Sequence, residues 1–286
     1  MLLSGVTRRG FLRRLAVGSC ALLTAARRRE IAYEGCADYI EVFRREGEQR
    51  RRIQRLASAN PSFLTIDISR GCLFAVNEVD EYEGLPRGTV ESYAICPSTG
   101  RIALMGRQPL SLSAIGPRHL AISPDGGYMV VAVFGGGAYN VLPVERDGEI
   151  GAVTQVLKEI GSGANPKEQA SAHPHSVAFH PSGKFVIATD FGSDRISLFS
   201  FEGCRLGRVQ QIATPPGSGP ADLYISRSGR HVFVEHRLQR LCSCYEFDAG
   251  NGKPSLSWRR SAPLAGDGTV ETGGETGKLW SRAAPL

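Results

Sequence analysis

Three of the six histidines fall in two short clusters, Pro117-Arg118-His119 and His173-Pro174-His175, and one of these also holds a guanidinium. An imidazole passes protons near neutral pH. A guanidinium or an ammonium holds a phosphate or a developing oxyanion through charged N–H donors. Lys167, just after Asn165-Pro166, adds an ammonium, and Glu78, Asp190 and Asp194 add carboxylates. Each also has a purely architectural explanation. A histidine at a strand start is commonly a hydrogen-bonded structural group, and an aspartate at a strand end commonly caps turn amides. Gly135-Gly136-Gly137 does not open a helix, so it reads as a sharp bend between strands rather than a phosphate cradle. Seven cysteines are scattered without a pairing pattern, and neither a CxxC pair nor a His/Cys group of zinc spacing occurs. No metal site is expected, and the cysteines past the N-terminus, including Cys242 and Cys244 on one strand face, are expected to be buried reduced thiols.

The elements that must position these residues repeat. Four segments align: Pro61-Ser-Phe-Leu-Thr-Ile-Asp to Gly71, Pro117-Arg-His-Leu-Ala-Ile-Ser to Gly126, Pro174-His-Ser-Val-Ala-Phe-His to Gly183, and Pro220-Ala-Asp-Leu-Tyr-Ile-Ser to Gly229. Each is an alternating strand, a tight turn and a second apolar strand, with Pro and Gly where the turn requires fixed or positive φ. The glycines are 55, 57 and 46 residues apart, close to the ~40–50 of a four-stranded propeller blade. Outer strands are expected at 89–96, 139–144, 196–201 and 243–247, each ending in a polar Gly turn. No long amphipathic helix intervenes, so the fold class is all-β, a β-propeller of four-stranded blades. The stretch 145–172 is a long connection leading straight into His173.

The charge is unevenly placed. Residues 1–60 carry 13 Arg and Lys against 6 Asp and Glu, leaving 21 against 22 for the rest. The basic pI therefore belongs to the N-terminus, and with no basic aromatic stripe nucleic-acid binding is not expected. Thr7-Arg8-Arg9-Gly10-Phe11-Leu12 followed by the apolar run 15–26 resembles a twin-arginine export signal. Its length of 12 residues falls short of the ~20 that span a bilayer. Residues 1–26 are read as that signal, 31–259 as the propeller and 260–286 as a polar, Gly-rich, disordered tail. The expected location is periplasmic or secreted, with no stable membrane span once the signal is removed.

Several motifs together carry a family resemblance: Ala75-Val-Asn-Glu78, Gly116-Pro-Arg-His119-Leu, Val131-Ala-Val-Phe-Gly135, Asn165-Pro-Lys167, His173-Pro-His175-Ser-Val and Asp190-Phe-Gly-Ser-Asp194-Arg. From about Ile31 to Gly252 the chain resembles the lactonase-type seven-bladed β-propellers, which include bacterial 6-phosphogluconolactonase and, more distantly, a fungal carboxymuconate-lactonising enzyme. The resemblance implies hydrolysis of a sugar lactone, phosphorylated or plain, by water attack on the carbonyl without metal or organic cofactor. It implies a catalytic set of His175 as base with Arg118 and Glu78, and substrate contacts from His173, His119, Lys167 and Asp190, with Arg118 or Lys167 stabilising an oxyanion or holding a phosphate.

The departures are equally specific. In the family the fourth repeat also begins Pro-Arg-His and ends Asn-Glu, whereas here the aligned residues are Ala221-Asp222 and His236-Arg237. Glu235 lies two residues earlier on the same side. Counting 31–55 as a degenerate first blade gives about five blades, and the change of character after about Arg259 points to truncation. A non-catalytic propeller serving as a binding platform is the rival to the hydrolase reading, and a carboxymuconate cyclase ranks behind both.

Overall fold

The computed structural model describes residues 30–46, 49–250, 254–263, 269–272 and 275–278; the signal expected at 1–26 lies outside them. Five antiparallel sheets follow one another along the chain. The first has three strands, β1 (Glu30–Gly35), β2 (Tyr39–Glu46) and β3 (Gln49–Ala57). The second comprises β4 (Pro61–Asp67), β5 (Cys72–Asn77), β6 (Thr89–Ile95) and β7 (Ile102–Pro109). The third comprises β8 (Pro117–Ile122), β9 (Tyr128–Val133), β10 (Ala138–Pro143) and β11 (Gln155–Lys158). The fourth comprises β12 (Pro174–Phe179), β13 (Phe185–Asp190), β14 (Arg195–Glu202) and β15 (Arg205–Ala213). The fifth comprises β16 (Pro220–Ile225), β17 (His231–His236), β18 (Leu241–Asp248) and β19 (Ser255–Pro263).

In every four-stranded sheet the strands lie in sequence order, the meander of a propeller blade, and the first strands β1, β4, β8, β12 and β16 pack against one another in succession. The repeated Gly turns account for the tight hairpins. Gly126 at φ 75° and Gly183 at φ 73° occupy the left-handed region that L side chains avoid. β19 runs four residues past the boundary expected at 259, because its residues complete the ladder on β18 from Ser255 opposite Asp248 to Pro263 opposite Leu241. Beyond it, β20 (Thr269–Thr272) and β21 (Glu275–Lys278) pair with each other, so part of the stretch expected to be a disordered tail forms a short ladder. The long 145–172 connection contains β11, the fourth strand of its blade.

Second strands are buried along nearly their whole length in β5, β9 and β13, whose sheets each meet a neighbouring sheet on both faces. One core joins Phe74, Val76 and Val90 to Leu120, Met129, Val131 and Leu142. The next joins Val130, Tyr139 and Val141 to Val177, Val186 and Phe199. None of the six cysteines from Cys36 to Cys244 is disulfide-bonded, and Cys72, Cys242 and Cys244 are buried.

Candidate active site

The positions singled out in the sequence share a structural device. In each four-stranded blade the first strand is bulged just after its initial proline: the register shifts between Pro61 and Phe63, Pro117 and His119, Pro174 and Ser176, and Pro220 and Leu223. The extra residue is Ser62, Arg118 or His175 in the first three, while in the fifth sheet Ala221 and Asp222 stand opposite Glu235. Proline has no N–H to give the ladder, and a bulge re-aims the side chain it carries. Opposite these bulges, the residues that follow the second strands are Glu78, Phe134, Phe191 and Arg237. The candidate site is built from these two sets of residues.

Arg118 reaches across the blade boundary. Its Nη2 donates to Glu78 Oε1 at 2.7 Å, and its guanidinium lies over the Phe134 ring, 4.6 Å from the centroid. About a third of the Arg118 side chain remains exposed, so the cation is held yet accessible. The His175 ring is edge-on to Phe134 at 5.9 Å and tilted against Phe191 at 6.2 Å. At 3% exposure neither ring nitrogen reaches a hydrogen-bond partner. Burial, reinforced by Arg237, Arg118 and His119, holds its pKa well below 6.5, so at neutral pH the imidazole is uncharged.

The closest charged group to His175 comes from the pair read in the sequence only as a departure. Asp222 Oδ1 stands 3.4 Å from His175 Nδ1, close but outside hydrogen-bond alignment. Its Oδ2 stands 3.6 Å from Arg237 Nη2, which is also 4.0 Å from Glu235 Oε2. Burial pushes the Asp222 carboxyl up to about 7, with Glu235 acting in the same direction and Arg237 and Arg118 opposing. Burial likewise raises Glu235. Glu235 and Arg237 stood out in the sequence without an assigned part; the available signal was an acid, Asp222, where the family pattern has His and a base, Arg237, where it has Glu.

The remaining candidates lie at varied distances from this centre. His173 stacks on Phe134 at 4.5 Å, and its Nδ1–H donates to the Phe134 carbonyl at 2.9 Å, so it buttresses the wall behind Arg118. Asp190 Oδ1 accepts backbone N–H groups from His173 at 2.7 Å, Gly192 at 3.0 Å and Ser193 at 3.1 Å, tying the 190–194 turn to the start of β12. Asp194 in turn accepts from Gln169 Nε2 at 2.7 Å and from the amides of Gly217 and Gly219. His119 packs on Phe63 with ring centroids 3.8 Å apart, and burial pushes it down to about 3. Lys167 is exposed on the 145–172 connection. The amides of Phe134, Gly135 and Gly136 are spent on the carbonyls of Gly116 and Ile115, so the triple glycine is a close-packed bend. No group of three or more metal-ligating side chains occurs among the described residues.

Known proteins share this architecture. The periplasmic gluconolactonase of Pseudomonas aeruginosa superposes with a TM-score of 0.71 at 29% identity, covering 85% of this chain and 68% of that one. A 6-phosphogluconolactonase of Bacillus subtilis is 20% identical over 68% of this chain and 53% of its own length. A 6-phosphogluconolactonase of Formosa agariphila is 24% identical over 68% of this chain and 55% of its own. The chain thus spans about half the length of the curated relatives it matches. The sequence pattern of one family, described as lactonase, 7-bladed beta-propeller, matches residues 33–271. That match covers most of the chain and all five bulged or three-stranded sheets described above, and the protein belongs to the lactonase family of seven-bladed β-propellers.

Proposed function

We propose that the chain hydrolyses a sugar lactone at the His175 site. The observation that carries this reading is a neutral, unpartnered imidazole placed among two accessible guanidiniums, Arg118 and Arg237, and a carboxyl, Asp222. In the reaction, water oxygen bonds to the lactone carbonyl carbon and gives its proton to His175, while the carbonyl π pair moves onto oxygen. Arg118, oriented by Glu78 and Phe134, faces that oxyanion as a charged donor. The carbonyl then re-forms, the ring C–O bond breaks, and the proton on His175 goes to the departing ring oxygen, giving the hydroxy acid. No metal or organic cofactor enters these steps. His173 and Asp190 act through the wall they hold, and Lys167 and His119 are proposed substrate contacts.

The test is hydrolysis of gluconolactone and 6-phosphogluconolactone, corrected for spontaneous opening, by the full chain and by His175→Ala. A positioned base contributes about 10²–10⁴-fold, so the variant should fall at least a hundredfold while remaining folded. Equal rates for the two proteins would remove the proposal. A specific feature favours a second reading, a binding platform without turnover: Ala221 puts only a methyl group at the bulge where the third and fourth sheets present Arg118 and His175. A folded protein that binds lactone without a rate above background would establish it. Export through the twin-arginine route belongs to the proposal as well, by analogy with the periplasmic relative, and recovery of the chain in the cytosolic fraction would count against it.

A further inference from the structure

We propose that Asp222 is the positioning carboxylate of His175: it accepts the Nδ1 proton, leaves Nε2 as the basic atom, and sets the pH dependence of the site. The inference rests on the hydrolytic reading for its catalytic consequence, though not for the pair itself.

Three observations carry it. The first is geometric. Asp222 Oδ1 is 3.4 Å from Nδ1, not from Nε2, and catalytic hydrogen bonds of this kind are commonly long in the free protein and tighten when substrate binds. The second is that both His175 nitrogens are buried and lack any other hydrogen-bond partner. A buried donor without an acceptor is costly, so the Nδ1–H tautomer aimed at the carboxylate is the one the surroundings favour. The third is that Asp222 is itself held, its other oxygen lying 3.6 Å from Arg237. A carboxylate behind an imidazole fixes its tautomer and stabilises the imidazolium that forms when the ring accepts a proton.

The groups facing the pair are Arg118 and His119 on β8, Glu235 on β17 and Arg237 just after it. His175 titrates well below neutrality and His119 at about 3, so neither changes charge near pH 7. Glu235 is raised by burial and touches Arg237 rather than His175. Asp222, at about 7, is the group facing His175 at close range that changes state there. Below that pH it is protonated and gives the imidazolium no counter-charge; above it the carboxylate is available. Activity should rise with pH through about 7 because of Asp222, not because of His175. Arg237 lowers the Asp222 pKa, so its removal should move the rise to higher pH.

The experiment has two readouts on the full-length protein. Two-bond ¹H–¹⁵N spectra of the imidazoles, with His175→Gln for assignment, should show an Nδ1-protonated neutral ring whose shifts inflect near the Asp222 pKa and lose that inflection in Asp222→Asn. Lactone hydrolysis against pH should show one rising limb in the parent, a flat profile lowered about a hundredfold in Asp222→Asn, and a limb shifted upward in Arg237→Gln. An Nε2-protonated ring, or an inflection that survives Asp222→Asn, overturns the proposal whatever the activity. A correct NMR signature in a protein that hydrolyses neither gluconolactone nor 6-phosphogluconolactone supports the pair and overturns the lactonase reading instead.

Discussion

Asp222 ionises at about 7 rather than near 3.8 because its carboxylate loses water and has Glu235 for a neighbour, and the flanking arginines offset this only in part. A carboxyl whose folded-state pKa is raised favours the fold in its protonated form. That contribution is complete below the unfolded value and is lost as pH rises through the folded one. At one unit per ~1.4 kcal/mol, the effect reaches a few kcal/mol before solvent screening is considered. Asp222→Asn should thus unfold at higher temperature than the parent at pH 8 and show little advantage at pH 4, which calorimetry at the two pH values would measure. A stability gap independent of pH would mean that the carboxyl is not ionising in the fold as described. The residues of this site were unequally legible. His175, Arg118 and Glu78 stand in motifs whose residue types announce chemistry. Asp222 and Arg237 stood where other residues were expected and looked like losses. Only the bulges in β12 and β16 bring Asp222 against the His175 ring, and alternation along a strand does not reveal a bulge.

The four-stranded blades were legible because the first strand of each begins at a proline and leads to a glycine turn, two residues whose backbone limits are local. The polar contacts that add to the cores between one blade and the next were not visible, since they pair residues far apart in sequence. Glu91 on β6 is the clearest case. Fully buried, it accepts from Ser58 Oγ at 2.5 Å, Asn77 Nδ2 at 3.1 Å, Tyr93 OH at 2.5 Å and Arg107 Nε at 2.8 Å. Ser58 follows β3, so this carboxylate ties the end of the first sheet to the second. Burial, and after it the hydrogen bond to Glu91, raises the Tyr93 hydroxyl well above its ordinary value, so the phenol stays a donor. Truncating one member of a buried charged network leaves the others unpaired and costs about 3–5 kcal/mol. Glu91→Ala should lower the denaturation midpoint accordingly, and a change under 1 kcal/mol would show that water replaces the carboxylate. Because Glu78 follows β5 of the same sheet, the variant also tests whether the Arg118 anchor depends on this clip.

At the scale of the molecule, cohesion is passed from sheet to sheet. The first sheet contributes Ile40 and Val42 to a core shared with Leu73, Ala75 and Tyr93 of the second. The second and third share another, the third and fourth another, and the fourth and fifth share Ile187, Ile196 and Leu198 with Val232, Val234 and Tyr245. The middle three sheets therefore lie between two cores each, whereas among the described residues the first shares a core with the second and the fifth with the fourth. Within each sheet burial follows strand position: β9, β13 and β17 are buried at five of six positions, while the outermost strands β3, β15 and β19 present mostly exposed residues. In an array held by nearest-neighbour interfaces, stability is close to a sum of unit and interface terms, and units with one interface open first. Native-state hydrogen exchange should find the amides of β9 and β13 exchanging only through global unfolding, and those of β3 and β19 through smaller local openings with weak dependence on denaturant. The site straddles the second to fifth sheets, so Arg118 and His175 ride on middle sheets while Asp222 and Arg237 belong to the fifth. Lactone should then raise the protection of β16 and β17 more than that of β8 and β12. Uniform protection across all five sheets would mean that the first and fifth are joined by an interface as strong as those between their neighbours.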